Sequence, residues 1–155
     1  MQRSLLNQSE VNLLLAGARQ YKEANQQVMP VVLLADSGQC VRIVPLPDLA
    51  GDADARREQF RAIGQQYPET DEALFIGESW FVAVKETAGA LRVAPSQHPN
   101  RQEAVFLWGR NRANNKRVYI VQPFTHTREG IRWHKLQVFK KTGPLPNAVD
   151  LIFAP

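Results

Sequence analysis

Cysteine is almost missing: Cys40 is the only one among 155 residues. No intrachain disulfide can form, and the paired-cysteine spacings of structural zinc sites do not occur. A reducing compartment is the simplest setting for such a chain. No apolar run approaches the roughly 18 residues that a membrane span requires. The N-terminal run Leu13–Ala18 is short, and Glu10, Asn12 and Arg19 interrupt or flank it, unlike a signal peptide. A cytoplasmic protein without membrane contact is therefore expected. Gly-x-Ser-x-Gly, a phosphate-binding Gly-rich loop and His-Glu-x-x-His do not occur, so no cofactor and no nucleophilic mechanism is implied. Internal repeats and low-complexity segments are missing as well.

What is there fits one domain spanning residues 1–155, since domains commonly run to about 100–200 residues. The apolar fraction of 44% and the charged fraction of 22% are ordinary for a globular chain. A chain of this size buries roughly 70% of its unfolded surface, enough for a core without disulfides or metal. Net charge is +4 but unevenly placed. Residues 1–77 carry 7 Lys/Arg against 10 Asp/Glu, a net −3; residues 78–155 carry 12 against 5, a net +7. Such asymmetry marks either an anionic partner or a solvated basic face.

Periodicity predicts a helix capped by Asn7, with Glu10 three residues on and a Leu6–Val11 staple. Its apolar stripe is Val11, Leu14, Leu15 and Ala18, with Arg19, Lys22 and Glu23 outside it. It fades near Asn25 to Gln27. Val31–Ala35 reads as a strand buried on both faces and Val41–Val44 as its hairpin partner, with turn residues Asp36 to Gln39 between. A second helix follows Asp52 or Asp54, presents Arg56, Phe60, Ile63 and Tyr67 on one face, and stops at Pro68. Strands are expected at 74–84, 102–108, 118–124 and 131–139, with turns at Asn114-Asn115 and Glu129-Gly130. The order α-β-β-α-β-β-β-β implies an α+β fold: a mainly antiparallel sheet with both helices packed on one face.

Three places carry residues suited to chemistry or binding. Glu78 shares a strand face with Leu74, Ile76, Trp80 and Val82, where a carboxylate needs a partner or becomes a proton-transfer group. The alternatives are a structural ion pair with an arginine or a bulge at Gly77. The loop Pro95 to Glu103 brackets His98 and Arg101 with two prolines, and Arg101 has the geometry to hold a carboxylate or phosphate. Its structural alternative is that Arg101 anchors the loop on Glu78 or Glu103. Basic hairpins at 110–117 and 128–135 carry Arg110, Arg112, Lys116, Arg117 and Arg132 beside Tyr119, Phe124 and Trp133, a composition suited to nucleic acid or to solvated tips. Metal is not expected: a Glu129-Gly130 turn would set His126 opposite Trp133 and His134 opposite Thr125, on opposite faces.

The helix–hairpin–helix start, Glu78-Ser79-Trp80, and the segment Ser96…His98-Pro99…Arg101…Glu103 together resemble a group of uncharacterised prokaryotic proteins over most of the chain. The resemblance implies that these residues belong together, and it brings no activity, cofactor or partner. Asn100 departs from the acidic residue expected there. Two readings from different classes follow: a non-enzymatic binding or assembly module that self-associates through a sheet edge or exposed aromatic face, and a nucleic-acid-binding protein using the two hairpins. A third is an enzyme acting through Glu78, His98, Arg101 and Glu103, which requires those four to meet in one cleft.

Overall fold

The structure is a computed structural model that describes residues 5–25, 27–36, 40–49, 53–81, 101–139 and 148–153. Asn7 caps α1 (Gln8–Asn25), its Oδ1 accepting the Glu10 backbone N–H at 2.9 Å. Leu6 and Val11 are both buried in one cluster, as the staple requires. Strands β1 (Val31–Asp36) and β2 (Cys40–Pro45) form the expected hairpin. Helix α2 (Ala53–Gln66) stops two residues before Pro68, and its Phe60 and Ile63 are buried. The sheet continues with β3 (Glu72–Phe81), β4 (Gln102–Asn111), β5 (Arg117–Thr127), β6 (Gly130–Trp133) and β7 (Gln137–Phe139). A 3₁₀ helix (Ala148–Phe153) follows.

All pairings are antiparallel. The strand order is β2-β1-β3-β4-β5-β6, with β7 also on β5. The α+β class and the antiparallel sheet are those read from the sequence.

The helices do not share a face. Leu33, Leu74, Ile76, Val105, Leu107 and Ile120 pack with α1 through Val11, Leu15 and Ala18. Their strand neighbours Val32, Leu34, Ala73 and Phe75 pack with α2 and with Val149 and Ile152 of the 3₁₀ helix. Successive strand residues point to opposite faces, so these are two cores on two sides of one sheet. The physical reason was present in β1: four consecutive buried residues need cover on both faces. Gly64 lets α2 meet the 3₁₀ helix closely, since a Cβ there would lie 1.9 Å from the Ile152 carbonyl oxygen.

The predicted strand at 131–139 is broken into β6 and β7, and Pro123 of β5 explains the break. The bond from Asn111 N to Lys116 O fixes the phase of the β4–β5 ladder, so Pro123 turns its backbone away from β4. Its missing N–H falls on the β6/β7 side. There the register slips by one residue, from Phe124↔Trp133 to Val121↔Gln137, which is a bulge at 134–136. Pro123 O still accepts from His134 N at 2.9 Å. The His134 carbonyl takes its donor from the buried Gln122 side chain instead, Nε2 to O at 2.6 Å.

Turn chemistry follows the expected residues with one shift. Asn115 takes φ 57°, and Asn111 Oδ1 accepts the N–H groups of Ala113 and Asn114. The β5–β6 turn is Arg128-Glu129, one residue earlier than expected, with Thr127 opposite Gly130. Thr127 Oγ1 donates to Gly130 O and accepts from Glu129 N, which holds that corner, and Gly130 follows with φ 129°. His126 consequently faces Ile131, not Trp133.

Candidate functional site

Glu78 lies on the α1 face of β3, directly across from Val105. Its partner is a lysine, not an arginine. Lys22 Nζ stands 3.0 Å from Glu78 Oε2 and 3.3 Å from Oε1, and the Val28 N–H donates to Oε2 at 3.2 Å. Lys22 is 2% exposed, among the largest fully buried side chains of the described residues. Its ammonium also lies 4.5 Å from the Phe124 ring centre. This corrects the reading that set Lys22 outside the helical stripe: it continues the series 11, 15, 18, 22. A buried ammonium is tolerable only with such partners.

Trp80 and Glu103 are directly opposed on β3 and β4, and Glu103 is opposed to Phe124 on β5. Glu78, Ser79, Trp80, Glu103 and Phe124 therefore line one cleft of about 310 Å³. Arg101 stacks on Trp80, its guanidinium carbon 4.8 Å from the ring centre. Glu103 Oε2 lies 3.1 Å from His126 Nε2. The sequence-predicted residues Glu78, Arg101 and Glu103 are thus gathered, while His98 lies outside the described residues. Lys22 and His126 are members the sequence reading missed. Chemically the cleft holds carboxylates already engaged by the fold: Glu78 by the Lys22 ammonium and the Val28 N–H, and Glu103 by its contact with the His126 ring.

The basic hairpins are not solvated tips throughout. Arg110 and Arg117 face each other at the ends of β4 and β5 and clasp the two oxygens of the buried Asp150 carboxylate at 3.0 and 2.7 Å. That clasp fastens the 3₁₀ helix to the sheet. Arg112 pairs with Asp71 at 3.5 Å, and both Arg110 and Arg112 lie over the Phe153 ring. Of the five cations read as a nucleic-acid surface, Arg110, Arg112 and Arg117 are engaged in these pairs, and Lys116 and Arg132 stand exposed without such a pair among the described residues. Phe124 is buried, and Tyr119 and Trp133 are half-buried, with Trp133 donating to Glu23 Oε1 at 2.8 Å.

A surface the sequence reading did not locate lies at the β2 edge. Leu13, Gly17 and Tyr21 form an i, i+4, i+8 row on α1, next to the stripe that faces the core. With Met29, Ile43 and Pro45 they line a groove of about 410 Å³. Every residue lining it is uncharged. Val41 extends the same strand face. Leu13, Tyr21, Met29, Val41 and Ile43 are five of the eight large hydrophobic side chains left exposed among the described residues. Among the described residues β2 pairs only with β1, which leaves its other edge open.

Among the described residues no helix is long and apolar enough to cross a membrane, and no group of three His, Cys, Asp or Glu side chains is placed to hold a metal ion. His126 stands beside Glu103 and Phe124, and His134 bonds the Thr125 hydroxyl at 2.6 Å. Comparison with protein-family models, with characterised proteins and with solved structures yields no match for this chain.

Proposed function

We propose that this chain is a non-enzymatic assembly module that self-associates through the α1–β2 surface. The observation that carries it is the gathering of five exposed apolar side chains, four of them lining one uncharged groove, beside a strand edge left unpaired among the described residues. Exposed apolar side chains scattered singly need no explanation, whereas apolar side chains gathered in one place point to an interaction site. A second copy of this chain is the occupant that fits, because an uncharged patch can face itself without repulsion.

The opposite sheet edge is a poorer candidate. It is split into four- and three-residue pieces by the bulge, a feature that blunts edge pairing. The groove beside it includes Lys116 and Arg117, which would repel their own copies. The nucleic-acid reading loses support because Arg110, Arg112 and Arg117 are engaged with Asp150 and Asp71. The catalytic reading loses support because Glu78 is already paired with the buried Lys22 and Glu103 already contacts the His126 ring.

Sedimentation velocity across a dilution series tests the proposal. The wild-type chain is expected to move from twice its 17.5 kDa mass toward the monomer on dilution. Leu13→Lys, at a site 68% exposed on a helix, is expected to keep the fold and remove the dimer. A strict monomer at every concentration, or a Leu13→Lys protein that associates like wild type, would refute it.

A further inference from the structure

We infer that two copies join β2 to β2 in antiparallel register, with Ile43 opposite Ile43 of the second copy. This rests on the self-association proposed above, but a different observation carries it: the phase of the backbone hydrogen bonds. The bond from Leu46 N to Pro30 O, at 2.8 Å, makes Pro30 and Leu46 a hydrogen-bonded pair. Such pairs alternate along an antiparallel ladder. Val44 and Arg42 therefore bond toward Val32 and Leu34 of β1. Val41, Ile43 and Pro45 turn their backbone groups outward, to the open edge. Pro45 agrees independently: a proline within a strand sits where its nitrogen faces away from the neighbouring strand.

The outward donors and acceptors fit their own copy. About a two-fold axis at Ile43, each Ile43 N–H meets the other Ile43 carbonyl, and each Val41 N–H meets the other Pro45 carbonyl. The missing Pro45 donor costs no inward bond. A register one step over, with the axis at Arg42, makes as many bonds among residues 41 and 43. It also sets Arg42 against Arg42 at the closest cross-strand spacing, which like charges oppose. With the axis at Ile43, Arg42 faces Val44 of the second copy and keeps its place over the Tyr67 ring, 5.1 Å from its centre. The same axis sets Ile43 beside Ile43, and Val41 beside Pro45, of the second copy on the α1 face. The two sheets become continuous there, and the α1 rows carrying Leu13 and Tyr21 flank the seam.

Cysteine cross-linking in a Cys40→Ser background tests the register, with solution mass measured in parallel. Ile43→Cys is expected to form a covalent dimer on mild oxidation, because directly opposed residues lie within disulfide reach. Arg42→Cys is expected not to. Ile43→Pro deletes only an outward N–H, so the monomer should keep its circular dichroism and melting profile while dimer dissociation weakens about tenfold or more. Cross-linking through Arg42→Cys, or a solution dimer that Ile43→Cys fails to trap and Ile43→Pro fails to weaken, would overturn the register and leave self-association standing. A wild-type chain that stays monomeric would overturn both.

Discussion

Lys22 shows what a single residue's chemistry can hide. Its charge argues for solvent, yet its position continues the buried row of α1, and the fold answers with Glu78 on β3. The carboxylate at Glu78 was legible as a residue needing a partner. The partner was not, because it lies 56 positions away and only the packing of α1 on the sheet brings it near. Such a pair is costly to break on one side and cheap to replace on both. Glu78→Leu, which strands the buried ammonium, is expected to lower stability by about 3–5 kcal/mol. Lys22→Met leaves a carboxylate that still reaches water and should cost less. The Lys22→Met/Glu78→Leu double variant should recover most of the loss, as read from urea midpoints of all four proteins. Equal and additive losses would contradict this reading.

At the scale of elements, most boundaries were legible because each was set by local chemistry: Asn7 at a helix start, Pro68 after a helix end, Asn115 in a turn with positive φ. Two features were not. The break between β6 and β7 depends on Pro123 of the neighbouring strand, and no signal within 131–139 announces it. The placement of the helices on opposite faces follows from the double burial of β1, a pattern visible in Val31–Ala35 but not carried through to both helices. Gln122 joins these levels by supplying the donor that Pro123 lacks. Gln122→Leu leaves the His134 carbonyl without that donor, and about 1–3 kcal/mol of stability should go with it. Amide exchange should quicken first around β6 and β7. Unchanged stability would mean that the bulge does not depend on this side chain.

At the scale of the whole molecule, the described residues form a sheet with a core on each side, with one edge blunted and the other left unpaired among them. The chain's positive charge, the most visible asymmetry in the sequence, is partly engaged internally: Asp150 alone pairs with two arginines, offsetting one of their two charges, and binds the 3₁₀ helix to β4 and β5. The apolar surface was less visible. Leu13 and Tyr21 belong to a helix whose core-facing stripe drew the pattern, and Val41 and Ile43 belong to a hairpin whose outer face has no cover in the described structure. Which edge stays open is set by strand order, and strand order is not written in local patterns. The most direct measurement of the account is residue-resolved amide exchange at high and low protein concentration. The outward N–H groups of Val41 and Ile43 should be protected in concentrated solution and exchange freely when dilute, while Arg42, bonded inward to β1, stays protected in both. Fast exchange at Val41 and Ile43 at every concentration would contradict assembly through β2.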